Sequence, residues 1–299
     1  MQTGTVRKAV IPAAGFGTRL FPATRVVQKA LLPVPDGRGG LAPAVPMIAE
    51  EALAGGVETV IIVVRAEDLP AFRALFHEPL PGDLLSRLPA AGQESARRLL
   101  DIGRPVALVV QPRQDGLGDA VYCARETVGG EPFLLLLGDR VYRSRTRTPC
   151  ARQLVDAFTR GGCSAVSLYP VPAAEVERRG LAAGRWLEPG RLIEVSAFAE
   201  KPTPQVARER LRMPGLPGDG FLALFGQYVL EPQIFHYLEE SIAAGARERG
   251  EFQITTALDR LCAERGCLGL LVEGDSYDIG SVEGYLHTLQ VLGSRHHRE

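Results

Sequence analysis

The most informative stretch of this 299-residue chain is AVIPAAGFGTRLFPATRVVQKALLPVPD, residues 9–36. Its first three residues form a short apolar run that predicts a buried strand. A turn follows in which Gly15 and Gly17 carry no side chain, so that backbone N–H groups can approach a phosphate closely. Arg19 and Lys29 add the positive charge that a polyphosphate needs. We interpret the stretch as the phosphate site for a nucleoside triphosphate.

The alternative interpretation is an ordinary strand-to-helix turn with a surface arginine and a surface lysine. Gly15 and Gly17 lack the third glycine of the dinucleotide-binding fingerprint, and the GxxxxGK[ST] pattern of a P-loop is absent from the chain. The residues of the turn alone leave both interpretations open.

Apolar segments alternate with helical patterns through the first half of the chain. Strands are predicted at residues 9–11, 60–64, 105–110 and 133–137, and helices at residues 46–53 and 118–126. Continuous apolar strands that alternate with helices predict an α/β fold with a Rossmann-like, mostly parallel sheet flanked by helices. Ligands of such sheets bind beyond the carboxyl ends of the strands, where Gly15, Gln111 and Asp139 are expected to lie.

The second half of the chain is less regular. Strands are predicted at residues 164–169, 192–199 and 221–228, and helices at residues 232–244 and 252–265. Helices broken by proline and glycine at about residues 66–104 predict an insertion, and the portion from about residue 231 is predicted to be helical. We expect one domain that spans residues 1–299.

Composition narrows the classes of function. The formal net charge is −1, so no overall basic field favours nucleic acid or an anionic membrane surface as a partner. The arginine-rich residues 140–147 (RVYRSRTR) are interpreted as a solvated loop rather than a nucleic-acid site. No apolar run approaches the ~20 residues of a membrane helix.

The cysteines and the first residues of the chain predict a cytoplasmic location. The five cysteines form neither a CxxC pair nor a Cys/His cluster with zinc spacing, which is typical of reduced thiols. The residues before the turn contain no apolar segment of signal-peptide length.

Asp139 follows four leucines and a glycine at the end of a predicted strand. A carboxylate in such surroundings is costly to leave without a partner, so it needs a cation or hydrogen-bond donors. The alternative role is that of a helix-capping or turn aspartate.

The run GFGTRLFPAT…QKALLPVPD resembles the signature G-x-G-T-R-(x)n-P-K-x-L-L-P-V of the sugar-phosphate nucleotidyltransferases. It is similar above all to the UTP–glucose-1-phosphate uridylyltransferases and the glucose-1-phosphate thymidylyltransferases. Further blocks in the family's order are QPRQDGLG (residues 111–118), LGD (137–139), EKP (200–202), GQY (226–228), GEFQIT (250–255) and YDIG (277–280). Together they cover nearly the whole chain. The resemblance implies the nucleotide-diphospho-sugar transferase fold and an enzyme that joins a nucleoside triphosphate, UTP first, to glucose-1-phosphate with release of pyrophosphate.

The same resemblance assigns roles to individual residues. The nucleotide would be bound by Ala13, Ala14, Gly15, Gly17, Thr18, Gln111 and Gly116, the last two of which read the pyrimidine edge. The sugar phosphate would be bound by Gly180, Glu200 and Lys201. The catalytic residues would be Arg19, Lys29 and Lys201, and the ligands of Mg²⁺ would be Asp139 and Asp278. Gln114 is the alternative to Gln111, and Asp275 is the alternative to Asp278.

The sequence departs from the family pattern mainly near the sugar. Gln28 and Ala30 flank Lys29 where P-K-E is usual, and DGRGG (residues 36–40) replaces D-K-P. Arg179 stands where the Y-G motif has its aromatic residue, and Asp119 replaces the histidine of G-L-G-H-A.

Three hypotheses therefore stand: a uridylyltransferase for glucose-1-phosphate, a thymidylyltransferase or an enzyme for another sugar phosphate, and a non-catalytic homologue that binds these ligands in a regulatory role. The retained cations and carboxylates favour the catalytic hypotheses. The resemblance also implies a homo-oligomer.

Overall fold

The computed structural model describes residues 4–216, 220–248 and 250–294. Within these residues one central sheet contains nine strands drawn from both halves of the chain. In order across the sheet they are β5 Val106–Val110, β4 Thr59–Val64, β1 Lys8–Pro12, β6 Phe133–Leu136, β11 Phe221–Leu230, β8 Ser164–Val171, β12 Cys267–Leu271, β10 Leu192–Glu200 and β9 Gly180–Glu188.

Two small antiparallel sheets accompany the central one. They are formed by β2 Pro33–Pro35 with β3 Leu41–Pro43, and by β7 Arg140–Ser144 with β13 Gly274–Asp278. The α-helices are α1 Ala44–Ala54, α2 Leu69–Phe76, α3 Gly82–Arg87, α4 Ala90–Gly103, α5 Leu117–Cys123, α6 Arg125–Val128, α7 Cys150–Gly161, α8 Pro204–Arg210, α9 Gln233–Ala243, α10 Ile254–Arg265 and α11 Val282–Gly293. In the described part of the chain, no helix is both long enough and apolar enough to cross a membrane.

The predicted mostly parallel sheet is confirmed. Strands β5, β4, β1 and β6 are parallel neighbours, and β12 is parallel to β8. Strand β11 is antiparallel and joins the two groups, because it pairs with both β6 and β8. The chain runs from β1 outward through β4 to β5 and then returns to the other side of β1 as β6. The strand order therefore reverses between β1 and β6, which is the position where open α/β sheets bind ligands.

Both faces of the sheet are covered, as the continuous apolar strands predict. In β4, Ile61 and Val63 pack into one apolar cluster, while Val60, Ile62 and Val64 pack into the cluster on the opposite face. All five side chains are fully buried. Burial of one such side chain contributes about 1.5–3 kcal/mol to folding.

The structure also corrects two expectations and adds one strand. The portion from about residue 231 is not purely helical, because β12 and β13 lie within it and pair with distant strands. The arginine-rich residues 140–147 are only partly a loop, because Arg140–Ser144 forms β7. Strand β9 was not expected at all. Helices α2, α3 and α4 lie between β4 and β5, in the range where the insertion was predicted.

Candidate active site

One cavity of about 520 Å³ opens where the strand order reverses. The predicted residues that line it are Ala14, Gly15, Gly17, Thr18, Arg19, Lys29, Gln111, Gly116, Asp139, Gly180, Glu200, Lys201 and Asp278, together with the alternative Gln114. Ala13 is the exception, because it is fully buried behind the wall of the cavity. Its backbone N–H donates to the carbonyl of Val63 at 2.7 Å and so attaches the turn to β4.

The glycine turn after β1 is held by polar contacts with the following segment. Gly17 adopts a left-handed conformation with φ of 65°, and a Cβ atom there would lie 2.8 Å from Thr24 Cγ2. The Thr24 hydroxyl donates to the carbonyl of Gly17 at 2.9 Å. The Gln28 amide spans the turn, since it donates to the carbonyl of Ala13 and accepts from the N–H of Ala30. A side chain at position 17 would clash with Thr24, and the hydrogen bonds of Thr24 and Gln28 hold the turn in place.

Lys29 and Asp139 form an ion pair inside the cavity. Lys29 Nζ donates to Asp139 Oδ2 at 2.6 Å, and both side chains are at least four-fifths buried. Burial by itself raises the pKa of Asp139, but the charge and hydrogen bond of Lys29 outweigh it, with smaller help from Arg140 and Arg19. The net effect lowers the pKa from 3.8 to about 2. Asp139 is therefore ionised at neutral pH.

Three charged side chains converge on Gly280, the residue after Ile279 in the YDIG block. A Cβ atom at Gly280 would lie 2.8 Å from Asp139 Oδ2, 3.0 Å from Arg19 Nη2 and 3.2 Å from Asp278 Oδ1. The backbone N–H of Gly280 also donates to Asp278 Oδ1 at 2.7 Å. The two predicted metal ligands thus face one point, and glycine keeps that point open. The alternative ligand, Asp275, does not line the cavity. Its Oδ1 lies 3.7 Å from Nη1 of Arg145.

Sequence reasoning missed Arg140, which lines the cavity beside both carboxylates. It lies opposite Asp278 in the β7–β13 pairing, and its Nη1 is 3.3 Å from the hydroxyl of Ser276. Burial lowers the pKa of Arg140, but Asp278 and Asp139 raise it above its ordinary value, so the guanidinium is charged. The sequence could have indicated Arg140 by its position directly after Asp139. It was overlooked because residues 140–147 are rich in arginine and were interpreted as a solvated loop.

The loop after β5 forms another wall of the cavity. Gln111 Nε2 donates to Asp119 Oδ2 at 2.6 Å and to the carbonyl of Gly116 at 3.3 Å. The N–H of Gly118 donates to the carbonyl of Phe252 at 2.8 Å, and the N–H of Phe252 donates to Asp115 O at 2.7 Å. The loop is therefore attached to the segment that precedes α10.

Gly116 allows this close attachment. Its φ is 114°, and a Cβ atom there would lie 2.7 Å from the carbonyl oxygen of Phe252. A side chain at position 116 would separate the two segments.

The opposite wall is built from the ends of β9 and β10. Lys201 has a positive φ of 47°, which is uncommon for a residue other than glycine. Its N–H donates to the carbonyl of Arg179 at 3.1 Å, and its Nζ lies 3.3 Å from Glu200 Oε1. A Cβ atom at Gly180 would lie 2.8 Å from Glu200 Oε2, so the glycine makes room for this carboxylate. The arrangement presents one cation and one acceptor across the cavity from the glycine turn.

A comparison with protein families identifies the chain. The sequence pattern of the family described as "Nucleotidyl transferase" matches residues 8–294. The chain belongs to this family. It is therefore a member of a class of enzymes, as the sequence blocks predicted.

Curated relatives in the nucleotidyl transferase family carry a more specific name. This chain is 36% identical over 290 residues to the UTP–glucose-1-phosphate uridylyltransferase of Streptococcus pneumoniae serotype 4, an alignment that covers 96% of this chain and 90% of the relative. It is also 36% identical over 293 residues to the enzyme of that name from Bacillus subtilis, covering 95% and 89%.

Solved structures give the same comparison in three dimensions. A UDP-glucose pyrophosphorylase in complex with UDP-glucose superposes with a TM-score of 0.80 at 27% identity, covering 97% of this chain and 99% of that one. The UTP-bound enzyme from Acinetobacter baumannii superposes with a TM-score of 0.77 at 25% identity, covering 98% and 95%. The predicted resemblance and the nucleotide-diphospho-sugar transferase fold are confirmed.

Proposed function

We propose that this chain joins UTP to glucose-1-phosphate and forms UDP-glucose and pyrophosphate. The observation that carries the proposal is the convergence of Arg19, Asp139 and Asp278 on one open point at Gly280. Lys29 adjoins this point, and the loop of Gln111 lies on another wall of the same cavity. The names of the curated relatives support the choice of UTP and glucose-1-phosphate.

The reaction needs little covalent help from the protein. An oxygen of the sugar phosphate attacks the α-phosphorus of UTP and forms a new P–O bond. The bond between the α-phosphorus and the oxygen that bridges to the β-phosphorus breaks, and pyrophosphate leaves with the electron pair. Positioning and neutralisation of charge supply most of the catalysis in such a transfer.

The residues of this chain divide these tasks between the two sides of the cavity. Arg19 and Lys29 neutralise the triphosphate and the leaving pyrophosphate. Gly15 and Gly17 allow the backbone to approach the phosphates. On the opposite wall, Lys201 binds the phosphate of the sugar, and Glu200 accepts hydrogen bonds from sugar hydroxyls.

Asp139 and Asp278 would hold a divalent cation, and we propose Mg²⁺. Two carboxylates completed by phosphate oxygens and water suit this ion, which seldom takes an all-protein set of ligands. When bound, Mg²⁺ would neutralise phosphate charge.

A product assay tests the reaction. The purified chain is incubated with UTP, glucose-1-phosphate and Mg²⁺, and UDP-glucose and pyrophosphate are quantified separately. The proposal requires equal amounts of both products and their loss in Asp278→Asn or after chelation of the metal. Asp156→Asn on the surface of α7 is the matched control and should retain activity. Hydrolysis of UTP without UDP-glucose would overturn the proposal.

We further propose that the reaction takes place in the cytoplasm. All five cysteines are free thiols in the structure, which suits a reducing compartment. Thiol titration of protein taken directly from cells would contradict this if it found disulfides.

A further inference from the structure

Gln111 and Asp119 form a buried polar contact at the end of β5. Gln111 is only 2% exposed, yet it contributes to the wall of the cavity. Its amide nitrogen donates to Asp119 Oδ2 at 2.6 Å and to the carbonyl of Gly116 at 3.3 Å. The two hydrogens of the amide nitrogen are therefore both used inside the protein.

The identity of these partners fixes the orientation of the amide. A carboxylate oxygen and a backbone carbonyl can only accept hydrogen bonds. If the Gln111 amide turned over, its oxygen would face two acceptors in a buried setting, which is unfavourable. Within the described residues, Gln111 Oε1 accepts no hydrogen bond, and it is the remaining polar atom of the side chain. A ligand at this position therefore meets the acceptor Gln111 Oε1, whereas the amide N–H groups of Gln111 are already bonded within the protein.

Pyrimidine bases differ at position 3 in whether the ring nitrogen can donate to such an acceptor. Uracil and thymine carry a hydrogen on N3, which can be donated to Gln111 Oε1. Cytosine has an unprotonated N3, which is itself an acceptor and would repel the same oxygen. A glutamine that was free to turn over could serve either base, because its amide both donates and accepts. Discrimination therefore requires that the amide is held in one orientation.

We propose that Asp119 is a positioning residue that holds the Gln111 amide with its oxygen towards the base, and that it thereby selects uracil or thymine nucleotides over cytosine nucleotides. The inference rests on the proposed function for the assumption that a pyrimidine nucleotide occupies this wall. The sequence pattern that the chain resembles has histidine at this position, so the contact is a property of this chain's own sequence.

The test compares kcat/KM for UTP and for CTP with glucose-1-phosphate held constant. Asp119→Leu removes the acceptor at nearly constant volume, and it should lower the UTP-to-CTP ratio by about 10-fold. Asp119→Asn keeps an oxygen that can accept from the Gln111 amide and should retain most of the ratio. Asp156→Leu on α7 is the control for loss of a carboxylate and should leave the ratio unchanged.

A double variant separates positioning from a direct effect. In a Gln111→Leu background, Asp119→Leu should change the UTP-to-CTP ratio no further, because the amide through which Asp119 acts is gone. A ratio that is unchanged in the single variant would overturn the inference, and so would an equal fall in both backgrounds. Circular dichroism verifies folding, and Asp119→Ala serves the same comparison if Asp119→Leu does not fold.

The binding of nucleotides distinguishes failure of this inference from failure of the proposed reaction. If the wild-type chain turned over no nucleotide, the same variants would be compared by calorimetric titration with UTP and CTP. Wild-type protein that bound both nucleotides equally would overturn the inference whatever the reaction.

Discussion

Asp139 links the charges of the cavity to the stability of the chain. Burial raises the pKa of Asp139 in the folded state, but the charge and hydrogen bond of Lys29 outweigh burial. The net effect lowers this pKa from 3.8 to about 2. A carboxyl group with a lowered pKa stabilises the folded state at pH values above its unfolded pKa. This stabilisation is lost as the pH falls from 3.8 towards about 2, where the folded carboxyl group also becomes protonated.

Asp139→Asn should remove this pH dependence. We expect the free energy of unfolding of the wild-type chain to fall by about 2 kcal/mol more than that of the variant between about pH 5 and pH 2. Urea unfolding at several pH values measures the difference, with Asp156→Asn as the control that should follow the wild type. Parallel curves for the wild type and Asp139→Asn would contradict the ion pair.

At the residue scale, the sequence motifs selected residues that the structure brings together. Arg19, Lys29, Asp139, Gln111, Lys201 and Asp278 all line one cavity, although they come from five separate blocks of the sequence. Ala13 is the exception, since its position in the motif does not reveal that it lies buried behind the cavity wall. Asp119 was noticed only as a departure, since its contact with Gln111 depends on the path of the intervening loop.

Strand β7 shows why some elements are hidden from the sequence. Its run of arginines suggests a solvated segment, and its short partner β13 lies more than a hundred residues away. Pairing of these strands places Arg140 beside Asp139 and Asp278, while Arg143 on the same strand is exposed. Long apolar strands such as β4 could be predicted because burial on both faces leaves a local pattern.

Arg140→Met should impair catalysis more than folding. Loss of this cation removes one of the positive charges beside Asp139 and Asp278, and Asp278, its neighbour across the β7–β13 pairing, is the carboxylate that acts more strongly on Arg140. We expect kcat/KM for pyrophosphate release to fall by about 100-fold. Arg143→Met on the same strand is the matched control and should keep near wild-type activity. Equal activity of the two variants would show that Arg140 has no role in the cavity.

Gly116→Ala tests the attachment of the loop after β5 to the segment before α10. A Cβ atom would lie 2.7 Å from the carbonyl of Phe252 at a φ of 114°, so the two segments must separate. We expect a loss of about 1–3 kcal/mol in the free energy of unfolding and a higher KM for UTP. Gly130→Ala, where nothing lies within 4 Å, is the control. An unchanged KM for UTP would contradict a role of this loop in nucleotide binding.

The whole molecule brings these elements together through its strand order. The reversal of that order beside β1 places the glycine turn next to Asp139 at the end of β6, and β11 then connects the half of the sheet that carries Glu200 and Lys201. Sequence patterns indicated parallel strands and their alternation with helices. They could not give the antiparallel insertion of β11 or its additional pairing with β9, because both join segments that are distant in the sequence.

Because the sequence departs from the family pattern near the sugar, the choice of substrate is the most direct test of the proposed function. Pyrophosphate release would be measured for UTP, dTTP, CTP, ATP and GTP against a series of sugar-1-phosphates, each with and without Mg²⁺. We expect the highest kcat/KM for UTP with glucose-1-phosphate, weak activity with CTP, and none without the metal. Folded protein that binds UTP but releases no pyrophosphate with any sugar phosphate would contradict the proposed function and would favour a regulatory, non-catalytic role.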